Sequence, residues 1–269
     1  MPPKRWLRTY ILVALAVTAA LTFYYYRAYF HQDLPAEIAG TAADPARFMS
    51  GEERLQSSSY SMIRDVLFFV GYFWEWGVLL WLLTGRFPRA IRQRMDAGIG
   101  NRGLRFALHV GVAAAALFAL GFPLRLFSYL VSRSYGVSTT VFPVWIRDQA
   151  VSFLVDYVVF LIVAAVAFYL IRRGRAWWFR LWLLSVPFIL FMMWIRPLVI
   201  DPLFYRYEPI ADPQVKQAVI DMTAAAGIPT ERVFEANYSE KTNAINAYVN
   251  GIGPSLRIVI WDTALKKLE

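Results

Sequence analysis

Five apolar runs, at residues 6–26, 66–83, 104–122, 151–171 and 177–195, dominate the first two hundred positions. A helix needs about 20 mostly apolar residues to cross the hydrocarbon core of a bilayer, and these runs meet or approach that length. The first follows Lys4, Arg5 and Arg8 as a secretory signal would. However, Phe23, Tyr24, Tyr25 and Tyr26 stand where small residues would mark a cleavage site, so the run reads as an uncleaved anchor. Tryptophans 74, 76, 81, 177, 178, 182 and 194 lie mostly near run ends, as anchoring at the membrane interface requires.

After residue 200 the long runs cease and shorter periods replace them. Asp212-Pro213 opens a helix with Val215, Ala218, Val219 and Met222 on one face, and Gly227 with Ile228-Pro229 closes it. Residues 232–237 predict a strand, 239–243 a polar turn, 245–249 a second strand and 256–261 a strongly β-prone third. Residues 250–254 break the second strand, with Gly251 and Gly253 serving the turn. Asp262-Thr263 caps a further helix over 264–268. So short an α+β segment makes a poor independent domain, because it buries little core. Its remainder is expected beyond residue 269. The fold class predicted is an α-helical integral membrane bundle of about five spans, with an N-terminal extension, over residues 1–200. An incomplete α+β segment follows over 201–269.

Composition supports the bundle. Hydrophobic residues make up 58% and charged residues 17%, against about 25% charged in a soluble domain. Mean hydropathy is +0.42. Without cysteine the chain has no disulfide framework and no thiolate chemistry, and His31 and His109 cannot build a His-rich metal site alone. The net charge of +9 follows membrane sidedness. Arg86, Arg89, Arg92, Arg94, Arg102 and Arg105 face Asp96 alone in one connection, and Arg172, Arg173, Arg175 and Arg180 fill another. The positive-inside rule places the N-terminus and both connections in the cytoplasm, and five crossings then put the segment after residue 200 outside. With no basic face and no recognition motif, nucleic acid is set aside.

Glu75 and Asp156 lie within apolar runs. A charge facing lipid is costly, so each is either an interhelical polar lock or a group lining a water-filled chamber. From the residues alone, Ala247 and Val249 around Tyr248 read as core, and Asn246 and Asn250 as satisfying turn backbone.

Several stretches resemble one family. Tyr135-Gly136-Val137-Ser138 with Trp145-Ile146-Arg147-Asp148 is similar to its loop before the fourth span, and residues 200–209, IDPLFYRYEP, to its exit from the fifth. Most specific are Asn246-Ala247-Tyr248, Gly251-Ile252-Gly253 and residues 257–265, RIVIWDTAL, in family order. Over roughly residues 45–269 the chain resembles the membrane-embedded zinc metalloendopeptidases of the CAAX prenyl protease 1 type. That resemblance implies a helical bundle around a water-filled chamber, closed by a zincin-like domain that cleaves peptide or protein substrates. It implies zinc held by the two histidines of an HExxH helix, whose shared helix face suits an open tetrahedral site. It also implies a downstream glutamate ligand. No HExxH occurs here, because His31 precedes Gln32 and His109 precedes Val110. The chain is therefore expected to hold no metal ligand or catalytic residue and to be inactive alone, as an N-terminal part of a bacterial inner-membrane protease. The resemblance makes Asn246, Ala247 and Tyr248 substrate-binding residues beside the zinc cleft. A non-catalytic membrane scaffold or chaperone is the alternative, and a transporter using Glu75 and Asp156 a third. Oligomeric state and substrate identity are left open by the sequence.

Overall fold

The computed structural model describes residues 3–31, 34–227 and 231–267, and the chain divides into two compact units, Met1–Tyr135 and Gly136–Glu269. Five of its helices are long and apolar enough to cross a membrane: Trp6–Phe30, Gly51–Thr84, Arg102–Ser134, Phe142–Ile171 and Trp177–Leu203.

The first unit holds α1 (Pro3–Phe30), α2 (Gly51–Thr84), α3 (Arg86–Gly98) and α4 (Arg102–Ser134). Helix α2 begins well before its apolar run because a capping box starts it. Ser50 Oγ accepts from the Glu53 amide at 3.2 Å, and the Glu53 carboxylate accepts from the Ser50 amide at 2.7 Å. Asn101 starts α4 likewise, accepting from the amides of Gly103 and Leu104 at 2.9 and 3.0 Å. Polar contacts then fix the helix register. Tyr10 donates to the Phe73 carbonyl, joining α1 to α2. Trp74 Nε1 donates to the Leu120 carbonyl at 2.8 Å, joining α2 to α4. Arg125 curls back along α4 to donate to the Phe118 carbonyl, with its guanidinium 4.6 Å above the Phe118 ring. The connection read from sequence as a charged link contains α3. Its arginines carry a helical period as well as their charge.

The second unit begins with α5 (Phe142–Ile171) and α6 (Trp177–Ile195), whose end widens into a π turn at Arg196–Ile200 containing Pro197. Then come β1 (Tyr207–Pro209), α7 (Pro213–Ala225), β2 (Val233–Ala236), β3 (Ala247–Asn250), β4 (Arg257–Trp261) and α8 (Asp262–Leu265). Asp212 caps α7 as expected. The Ile228-Pro229 stop and Leu268 lie outside the described residues. Four strands form where three were expected: the sheet order is β1-β2-β4-β3, with β2 and β4 parallel and both outer pairs antiparallel. Strand β1 escaped detection because three residues ending in proline carry no alternation, and its pairing with β2 comes from tertiary context. The second predicted strand starts later and includes Asn250. Ile210, Val233, Ile258 and Ile260 form the core on the sheet face covered by Val215 and Val219 of α7 and Leu265 of α8. Gly251 is required at its turn: φ is +87°, and an added Cβ would lie 2.3 Å from the Ser255 carbonyl oxygen.

A backbone zipper ties the sheet to the start of α5. Thr139 N donates to the Lys241 carbonyl at 3.1 Å, and Asn243 N to the Val137 carbonyl at 3.0 Å. Thr140 and Thr242 add side-chain bonds to the Lys241 and Val137 carbonyls. At its centre Lys241 pairs with Asp148 of α5, their side chains 12% and 15% exposed. Removing one member of a largely buried pair strands the other charge. Asp148→Ala is therefore expected to lower stability in detergent by about 3 kcal/mol. Asp148→Leu with Lys241→Met should recover most of the loss, as measured by denaturant unfolding.

Candidate substrate-binding edge

Strand β3 lies at the end of the sheet order and pairs with β4 alone. Its register, Ala247 opposite Ile260 and Tyr248 opposite Val259, extends to a bond from Trp261 N to the Asn246 carbonyl at 3.1 Å. Antiparallel alternation then turns the N–H and C=O of Tyr248 and Asn250 toward β4, and those of Ala247 and Val249 toward the open edge. Ala247 and Val249 have exposed side chains, so neither is core. Asn246 Oδ1 accepts the Ala247 amide at 2.8 Å, so its side chain covers the first outward donor.

Tyr248 and Asn250 point to the other face, against a pocket of about 610 Å³. Met193, Phe204, Tyr205 and Tyr238 give this pocket apolar and aromatic walls. Tyr238 is stacked between Tyr205 and Trp261, with ring centroids 3.9 and 3.8 Å away. The Tyr248 hydroxyl lies 3.3 Å from that of Tyr207 and 3.4 Å from that of Tyr238. Burial first, and the Tyr248 hydroxyl second, push the phenols of Tyr207 and Tyr238 well above the ordinary tyrosine range. Both remain neutral hydrogen-bonding groups at physiological pH.

Two further clusters hold this face. Asp201 pairs with Arg257 at 3.3 Å and Arg196 at 3.4 Å, and accepts from Asn250 Nδ2 at 3.1 Å. Arg257, only 6% exposed, also lies 4.1 Å over the Tyr207 ring and donates to Asn250 Oδ1 at 3.2 Å. The buried Asp262 accepts from the amide and hydroxyl of Ser239, and Lys266 stands 3.3 Å away. Burial pushes its carboxyl up, but the Ser239 bonds and the Lys266 cation outweigh that and hold it below the ordinary aspartate value. Asp148, Asp201 and Arg257 stood inside the family-like stretches, but no sequence period linked them. Their meeting is a product of the tertiary fold.

Glu75 on α2 and Asp156 on α5 are exposed, and no hydrogen bond or ion pair holds either one among the described residues. They belong to different units.

The chain matches the family described as CAAX prenyl protease N-terminal, five membrane helices, over residues 25–206, and peptidase family M48 over residues 209–269. It is 36% identical over 269 residues to the uncharacterized metalloprotease YhfN of Bacillus subtilis (strain 168), a match covering 99% of this chain and 62% of that protein. The CAAX prenyl protease 1 homolog of Mus musculus is 27% identical over 192 residues, 70% of this chain and 39% of that protein. The crystal structure of S. mikatae Ste24p superposes with a TM-score of 0.74 at 17% identity, covering 98% of this chain and 62% of that one. At that identity the likeness is one of fold. The chain spans about three fifths of the length of the Bacillus subtilis relative.

Among the described residues, no three His, Asp or Glu side chains come together as a metal site. The Asp262 cluster makes a stability prediction. A carboxyl held below its unfolded value stabilises above that value and loses the benefit as pH falls through the folded one. Asp262→Asn should cost about 1–2 kcal/mol at pH 7. The gap from the parent should close as pH drops below about 4, measured by denaturant unfolding across pH.

Proposed function

The chain belongs to the membrane zinc metalloproteases of the CAAX prenyl protease 1 family, and from that premise we propose that it serves an integral-membrane, zinc-dependent endopeptidase acting on membrane-associated or CAAX-type substrates. The observation that carries this reading is the open outer edge of β3. An extended peptide adds to such an edge through main-chain hydrogen bonds, and side-chain pockets supply selectivity. On this reading the Ala247 and Val249 backbone groups pair with substrate. Asn246 yields the Ala247 amide as the peptide arrives, and Tyr248 faces the adjoining pocket.

The remaining roles follow from the same premise. Glu75 and Asp156, acidic and without a bonded partner among the described residues, suit a hydrated chamber better than a polar lock. Residues 1–200 form the membrane bundle, and 201–269 begin the zincin-like domain. Zinc would be held by an HExxH helix outside these 269 residues, so they are assigned no catalytic residue and no hydrolysis alone. The arginine distribution suits a bacterial inner membrane with a cytoplasmic N-terminus.

Proline is tolerated at an edge strand when its missing N–H faces outward. Val249→Pro is expected to weaken binding of a fluorescent extended peptide to the protein in nanodiscs by about five- to tenfold. Its melting temperature should barely change. Unchanged affinity would overturn the role of β3. Hydrolysis of the same peptide by residues 1–269 with added zinc would overturn the placement of the ligands.

A further inference from the structure

Helix α3 joins two spans through very short links: Gly85 alone separates it from α2, and residues 99–101 separate it from α4. Thirteen residues make about 20 Å of helix. With both ends tied to span termini, α3 is held at the membrane–water boundary. Half-buried Ile91 and Met95 lie one turn apart on it, while Arg86, Arg89, Arg92 and Arg94 are exposed.

These arginines divide by what they touch. Arg89 donates to the Thr84 and Gly85 carbonyls and so closes the end of α2. Arg92 and Arg105 pair with Asp96 at 3.7 and 3.6 Å, and His109 Nε2 lies 3.8 Å from the same carboxylate. The one acid of this connection is therefore engaged. Arg86, Arg94 and Arg102 make no hydrogen bond or ion pair among the described residues, and all three are exposed.

Their placement selects the ligand. Arg86, Ala90 and Arg94 stand at i, i+4 and i+8, a single row on α3, with small exposed Ala90 between the two arginines. Arg102 is the first residue of α4, and the first turn of that helix contains no acid. A cation there opposes the positive end of the helix dipole, and an anion beside it relieves the conflict. Arginine presents a planar fork that matches phosphate oxygens. Basic clusters on helices at a membrane boundary attract anionic lipid at about 1 kcal/mol per residue.

We propose that Arg86, Arg94 and Arg102 bind the phosphate headgroups of anionic phospholipids, fixing this end of the first unit to a negatively charged leaflet. The partner is the lipid surface itself, met at the span ends that α3 joins. Zwitterionic lipid offers the same phosphate beside a compensating ammonium and is bound more weakly.

The test is native mass spectrometry of the full chain in mixed micelles containing phosphatidylglycerol or phosphatidylcholine. The parent is expected to retain phosphatidylglycerol preferentially and to lose it as salt rises. Each Arg→Gln change at 86, 94 or 102 should weaken retention by about fivefold, and the triple Arg→Lys variant should keep most of it. An equal preference of the parent for both lipids overturns the proposal, as does a folded triple Gln variant that binds as the parent does. Should the triple Gln variant fail to insert, the single variants and the salt titration of the parent decide the matter, and salt-insensitive retention counts against it.

Discussion

The ion pair between Lys241 and Asp148 is the contact on which the geometry of the second unit depends. One partner stands in the second turn of a membrane helix, the other in the turn that leads into the edge strand. Both are largely removed from water, so neither can leave without exposing the other to an apolar surrounding. Lys241 also lies 4.6 Å over the Tyr205 ring, which in turn stacks on Tyr238. One cation thus fixes the aromatic wall of the pocket while the zipper between residues 137–140 and 241–243 fixes the backbone that leads toward β3. The edge strand inherits the rigidity of a transmembrane helix.

The sheet needs such support because its own core is small. Four short strands and two helices bury one apolar cluster around Ile258 and Ile260. Charged groups supply the rest of the cohesion. Asp201, at the exit from α6, holds the buried Arg257 of β4, and Asp262 gathers Ser239 and Lys266 at the start of α8. Arg257 is brought to Asp201 by the fold, where low local dielectric strengthens the pair, whereas Lys266 stands one turn beyond Asp262 and is itself exposed.

The legible and illegible parts of the sequence divide along the same line. Spans could be read because lipid demands long, uninterrupted apolar runs, and the Asp212-Pro213 helix start because capping is local chemistry. Asp262 instead stands inside α8, which has Trp261 at its N-cap, and turns its carboxylate to Ser239. Residues 256–261 read as a strand because Ile258, Val259, Ile260 and Trp261 are β-branched or aromatic. Helix ends beyond the bilayer were underestimated, since Ser50 and Asn101 start helices in polar sequence where hydropathy gives no signal. Strand β1 and the pairing of Asp201 with Arg257 arise from contacts between residues dozens of positions apart, which no local period encodes. Asn246, Ala247 and Tyr248 came from family resemblance. The residue pattern alone would have assigned Ala247 and Val249 to the core, and their exposure shows why periodicity misleads at a sheet edge, where one side has no partner.

The bond from the Ala247 amide to the Asn246 side chain has a consequence for discrimination. An edge whose donors are bare gains from any passing strand, whatever its sequence. Here the first outward donor already has an acceptor, so an incoming backbone exchanges one hydrogen bond for another and gains almost nothing from that position. Indiscriminate pairing is thereby discouraged, including pairing between two copies of the same edge. Were an extended chain to pair here, selection would fall to the parts of it that reach past the backbone, and the strand would act as a filter that answers to side chains.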